Sequence, residues 1–170
     1  MKAEIHFYEQ GIEESPISQI VFGNIMMVGW IVMGTIACWF VHPMIAWGYL
    51  PVAIIMVFIV LRKLVCTNCY YYGKRCPIGW GKLSAMLFNQ GNIERFSTCA
   101  GVKVAPLTYG LLTLIPLVLC VVALVQKITP AKIIVLVFLL AISAYSGSIG
   151  RKRSCAKCKM KLICPGSASK

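Results

Sequence analysis

Apolar positions in this chain gather into long uninterrupted runs, unlike the alternation of a half-buried strand or the stripe of a surface helix. Four runs, residues 17–41, 44–61, 104–125 and 133–149, approach or exceed the roughly 20 residues a helix needs to cross a bilayer. Arg62 and Lys63 stop the second run, Lys127 follows the third, and Arg151, Lys152 and Arg153 stop the fourth. His42-Pro43 joins the first two runs, and residues 126–130 join the last two. The pattern predicts an all-α membrane protein with four transmembrane helices in two tandem hairpins, each followed by a cysteine-containing arm. Ser15-Pro16 reads as a hydroxyl N-cap with proline at the first helical position, and Pro130 reads the same way. Pro51, Pro106 and Pro116 fall within or near spans, where neighbouring helices accommodate them. The first run is longer than the about 7–15-residue core of a signal peptide and follows a long acidic segment, so it reads as a retained span.

Composition agrees with lipid as the solvent. The chain has 170 residues, 59% hydrophobic and 13% charged, with a mean hydropathy of +0.79. Soluble domains are about 45–50% apolar and about 25% charged. A soluble enzyme, a disordered tail and a secreted disulfide miniprotein are all excluded by this balance. The net charge of +12 orients the chain. Lys127 and Lys132 lie near the tight turn between runs three and four, while the other basic residues lie in the N-terminal segment, the long loop and the tail. Basic residues favour the cytoplasmic side, so both termini and the long loop are expected in the cytoplasm of a multi-pass cell-membrane protein. Trp39, Phe40 and Trp47 form the aromatic belt on the other side. Five segments follow: an acidic N-terminal segment 1–15, hairpin 16–65, cysteine-containing loop 66–103, hairpin 104–150 and cysteine-containing tail 151–170.

The cysteines add candidate chemistry. Cys66-Thr-Asn-Cys69 leads to Cys76-Pro77-Ile78-Gly79, and Cys155-Ala-Lys-Cys158 leads to Cys164-Pro165-Gly166. Each half thus reads as two spans, a basic stop and a C-x2-C followed by Cys-Pro, which suggests an internal duplication in parallel orientation. An axis along the membrane normal would bring the two arms together. A C-x2-C pair turns two thiolates toward one ion, and two pairs make a tetrathiolate site. Iron–sulfur clusters also use four thiolates, and the Cys-Pro dipeptide resembles in part the bacterial ferredoxin run. The candidate ligands are Cys66, Cys69, Cys76, Cys155, Cys158 and Cys164, with Cys99 as a further candidate, and the cofactor is zinc or an iron–sulfur cluster. Disulfides are disfavoured by a reducing cytoplasm. The six-cysteine spacing also resembles the binuclear zinc cluster of fungal transcription factors. That resemblance covers about twenty residues split by two spans, the second arm being one residue short. It implies two zinc ions sharing six thiolates. No recognition helix accompanies it, so no nucleic-acid partner is expected. The basic residues Lys74, Arg75, Lys157, Lys159 and Lys161 suit anionic headgroups instead. Cys38 and Cys120 lie within spans and read as small buried hydrophobes. His6 is the one cytoplasmic imidazole that could serve as an extra ligand.

Around the arms, residues 84–96 read as either a short interfacial helix or a loop covering the cysteines. Tyr70, Tyr71, Tyr72 and Trp80 suit a membrane interface. The acidic segment, with Glu4, Glu9, Glu13 and Glu14, is placed to fold over the basic arms. No span as bounded here contains a charge, Lys132 standing just before the fourth, and Asn24 is a polar oddity in the first. The chain has no Asp, no nucleophile elbow and no phosphate-binding glycine loop. No catalytic residue is assigned. The expected function is a membrane protein whose thiolate metal site joins two helical hairpins and supports a complex with a membrane-protein partner. The alternatives are an iron–sulfur electron-transfer subunit of a membrane oxidoreductase and a thiol-redox enzyme.

Overall fold

The first spanning helix starts later than its signal implies. In the computed structural model, which describes residues 6–169, α1 spans Ile17–Trp39 with Pro16 as its N-cap and no side-chain cap. Ser15 is diverted into tertiary structure: its backbone N–H donates to the Arg75 carbonyl at 2.8 Å, and its buried hydroxyl has no partner. Helix α2 (Pro43–Ile54) begins at His42, whose Nδ1 accepts from the Met44 N–H at 3.2 Å. It continues through a π-helical stretch, Ile55–Val60, into α3 (Leu61–Val65). After α4 (Trp80–Leu87), a 3-10 turn at Ile93–Thr98 leads into α5 (Ala100–Gln126). Helix α6 (Pro130–Tyr145) passes through a second π-helical stretch, Ser146–Gly150, into α7 (Arg151–Ala156). The described residues are thus all-helical apart from turns and one isolated bridge. Four continuous helices, Ile17–Trp39, Pro43–Asn68, Ala100–Gln126 and Pro130–Ala156, are long and apolar enough to cross a membrane.

The packing follows from side-chain size. Helix α1 packs on α2, α5 and α6. Ala37, Cys38, Ala46 and Ala53 are fully or almost fully buried, and small residues of this kind let helices approach closely. Trp30, Ile31, Tyr49, Val57, Leu112 and Leu139 fill the remaining core. Cys38 and Cys120 are completely buried, as their apolar surroundings suggested. Pro116 shows how a span tolerates proline. It has no N–H to offer the Leu112 carbonyl one turn earlier, and the Tyr49 hydroxyl donates to that carbonyl at 2.8 Å instead. Lys132, inside α6, donates to the Ala123 and Lys127 carbonyls at 2.7 and 3.0 Å, and so caps the end of α5. Large apolar side chains such as Ile25, Ile59, Leu114 and Phe138 point away from the core, as a lipid-facing surface requires.

Candidate thiol site at one end of the bundle

The first arm grows directly out of α3. The chain tightens into a 3-10 turn at Cys66–Asn68, and the Cys69 N–H returns to the Cys66 carbonyl at 3.3 Å. The Thr67 hydroxyl anchors this turn on the Lys63 carbonyl at 2.7 Å. A second turn forms at Cys76, where the Gly79 N–H donates to the Cys76 carbonyl at 2.7 Å. Gly79 has φ +78°, a left-handed conformation that glycine adopts without steric cost, and a Cβ there would also strike the Ile20 side chain. This turn aims the Trp80 backbone N–H at the Cys76 sulfur, 3.2 Å away. A Cβ on Gly81 would overlap the Tyr71 carbonyl, so only glycine lets α4 sit this close to the cysteine turn.

Arg62 is the main surprise of the site. The sequence places it as a stop signal at the membrane edge, yet it is only 5% exposed. Its guanidinium lies over the Trp80 ring, 3.4 Å from the centroid, and Nη1 faces the Cys66 sulfur at 3.8 Å. Nε and Nη2 have no hydrogen-bond partner. The ion pairs among the described residues, Arg75–Glu14 and Lys159–Glu13, leave Arg62 out. A guanidinium stays protonated in proteins, so this is a buried cation that faces the Cys66 thiol and the Tyr109 hydroxyl rather than a carboxylate.

The second arm is a chain of tight turns. The Cys158 N–H returns to the Cys155 carbonyl at 3.2 Å, and the Cys164 N–H reaches the Met160 carbonyl at 2.8 Å. Met160 is buried, and Arg151 donates to the Gly166 carbonyl. The two C-x2-C pairs share a detail: a hydrogen bond from the N–H of Tyr71 favours the Cys69 thiolate, and one from Met160 favours that of Cys158. In both cases burial outweighs that help. It pushes the Cys69 thiol up to about 12, with the Cys66, Cys158 and Cys76 sulfurs adding to the rise, and it also raises Cys158.

The N-terminal segment ties the arms together. The N–H groups of Tyr8 and Ile12 donate to the Lys159 and Lys157 carbonyls, both at 3.0 Å, with Ile12 bridging to Cys158. The Tyr71 hydroxyl, buried between the arms, donates to the Ile12 carbonyl at 2.6 Å and accepts from the Lys159 N–H at 3.1 Å. Burial raises this phenol to about 12. Glu14 pairs with Arg75 at 2.6 Å, and Glu13 with Lys159 at 3.5 Å. The acidic segment therefore does lie across the basic arms, while Glu4 falls outside the described residues.

Of the sequence-predicted ligands, Cys66, Cys69 and Cys76 stand within electrostatic reach of one another, and Cys69 feels Cys158 across the arms. Cys155 and Cys164 both act on Cys158. Cys99 is instead the N-cap residue of α5, and His6 is exposed where the described chain begins. None of the nine cysteines is in a disulfide. Among the described residues, no three cysteine, histidine or acidic side chains stand together at metal-ligand spacing. Sequence reasoning missed the roles of Arg62, Tyr71 and Gly81. Arg62 did leave a signal, since it stands one helical turn before Cys66 and so shares its face. No family model, curated protein or solved structure matches the chain.

Proposed function

We propose that this multi-pass protein sits in the cell membrane with both termini and both cysteine arms in the cytoplasm. There, Cys66, Cys69, Cys76, Cys155, Cys158 and Cys164 supply a thiolate metal site that joins the two halves of the bundle. The observation that carries this reading is the set of donors aimed at sulfur. The Trp80 N–H faces Cys76, and the buried, carboxylate-free Arg62 faces Cys66. Donors of this kind stabilise a thiolate over a thiol, and a divalent ion held by four thiolates carries a net negative charge that a buried guanidinium offsets. The thiols must draw together around an ion, so binding includes a closing movement of the arms.

The physical benefit is cohesion. Spanning helices associate only modestly in lipid, where no hydrophobic drive separates them from the solvent. A structural zinc site supplies on the order of 10 kcal/mol of apparent binding energy. Such a clamp suits a protein that supports a membrane complex, with the basic arms against anionic headgroups. The N–H···S contacts also favour a second reading, an iron–sulfur cluster passing electrons to a membrane oxidoreductase, because hydrogen bonds to sulfur tune cluster potentials.

Anaerobic purification followed by zinc, iron and labile-sulfide analysis tests both. Stoichiometric zinc in colourless protein supports the clamp, whereas iron and sulfide with a paramagnetic signal on reduction support electron transfer. Metal-free protein whose arm cysteines all alkylate readily overturns both and leaves thiol redox chemistry.

A further inference from the structure

Residues 78–87 connect the first cysteine arm to the rest of the loop, and by sequence they run from an interface-suited Trp80 into a stretch readable as interfacial helix or covering loop. Besides packing on the first-arm turns, three of these residues touch interior turns of two spanning helices. The Ile78 carbonyl accepts from Asn24 Nδ2 at 3.0 Å. Asn24 lies two turns inside α1, about 10 Å along the helix from Ile17 at 1.5 Å per residue. Gly79 presses against Ile20, one turn nearer the end. The Trp80 ring packs on Phe58, at 4.5 Å between centroids, and Phe58 lies inside the second apolar run, ahead of Arg62. Two separate spans therefore place this segment at the same depth, inside their ends.

The exposed face of α4 agrees with that depth. Trp80, Gly81 and Ser84 pack inward. On the opposite face Leu83, Leu87 and Met86 are 38%, 57% and 81% exposed, with Lys82 at the edge. On the spans that this segment touches, Val21, Ile25 and Ile59 are exposed as well. Asn24, the polar oddity of the first span, gains a reason as well. A backbone carbonyl held at membrane depth needs a donor from the protein, since little water reaches it.

We infer that α4 is an interfacial membrane helix, with Leu83, Met86 and Leu87 inserted among the acyl chains of the leaflet at the cysteine end. The lipid contact holds the Cys76 turn at headgroup level. Among the described residues, the second arm has turns after Cys158 where the first arm has this helix. This inference stands without the metal reading, because the contacts that set the depth, at Ile20, Asn24 and Phe58, involve no thiol.

A photoreactive benzoylphenylalanine, placed singly at Met86, Leu87, Gln90 or Val28 in the full chain, tests it. The protein is reconstituted into vesicles of phosphatidylcholine and phosphatidylglycerol, irradiated and examined by mass spectrometry. Val28 faces outward within α1 and reports what lipid contact looks like. Lipid adducts at positions 86 and 87 comparable to those at 28, with position 90 at background, are the expected result. If positions 86 and 87 stay unlabelled or join only to protein while position 28 labels lipid, α4 lies outside the leaflet and the inference fails.

Discussion

The two cysteine arms begin with the same C-x2-C turn, and the bundle treats them differently. In the first arm, the Cys76 turn continues into α4, whose Trp80 covers both Arg62 and Phe58. In the second, the chain closes over Cys158 in successive tight turns, and its anchor is Met160 together with the Arg151–Gly166 contact. The shared spacing therefore specifies local turn geometry and the N–H···S contact of the second cysteine. Burial in each arm comes from residues that the two copies do not share, such as Trp80 in the first and Met160 in the second. Two stretches with the same cysteine spacing can differ in packing while sharing the turn, because the turn is a backbone property and the packing is a side-chain one.

That contrast is easiest to break at Trp80. Replacing it with alanine removes the surface against which Arg62 and Phe58 pack, and Trp→Ala changes in cores cost about 3–5 kcal/mol. The expected outcome is early melting of the first arm in micelles, with the second arm keeping its hydrogen-exchange protection. Equal loss of protection in both arms would show that they unfold as one unit.

A pair of glycines sharpens the comparison at smaller scale. In Gly81→Ala the new methyl meets the Tyr71 backbone carbonyl, which cannot move aside cheaply, and overpacking of this kind costs about 1–3 kcal/mol. In Gly166→Ala the nearest atoms are the Arg151 guanidinium at 3.4 Å and the Cys164 sulfur at 4.0 Å. The guanidinium is the end of a flexible side chain, so the change should stay within about 0.5 kcal/mol. Thermal denaturation of the two variants side by side measures the difference.

The smallest effect concerns the N-terminal segment, which straps the arms through the Glu14–Arg75 pair. The hydrogen bond from Arg75 lowers the Glu14 carboxyl below its ordinary 4.5. A depressed carboxyl contributes stability above its unfolded value and loses it as pH falls through the folded one. The strap contact is therefore intact above pH 4.5 and weakens below it. Glu14→Gln should flatten the acid side of the Tm-versus-pH curve slightly, because the pair is exposed and such pairs contribute little. A larger flattening would mean that the strap governs the stability of both arms.

Much of the fold was legible as pattern. Apolar runs bounded by Arg62-Lys63 and by Arg151-Lys152-Arg153 mark helix content without reference to packing, since the backbone in lipid must satisfy itself within each helix. Legibility faded at the ends. Span two continues to Asn68 and span four to Ala156, past the basic residues that read as stops. Long basic side chains can continue a helix, and their charge marks the membrane boundary rather than the end of the hydrogen-bonded ladder. Ser15 shows the opposite failure, a good local capping signal that tertiary contact with Arg75 overrides.

The six arm cysteines were equally plain in the sequence, since C-x2-C and Cys-Pro are local and carry their own turn geometry. What surrounds them was not. Arg62 looked like any basic residue at a membrane edge, and Tyr71 like one of three interface tyrosines. Their roles depend on Trp80, Ile12 and Lys159, which are distant in the chain, so no local window holds the information. By itself the sequence determined the four long apolar helices and the local turns that carry the cysteines, because hydrophobic run length and turn spacing are short-range properties. Only the tertiary structure decided which cation is buried against Cys66, which tyrosine fastens the arms and which face α4 leaves open, because burial is a property of what comes together.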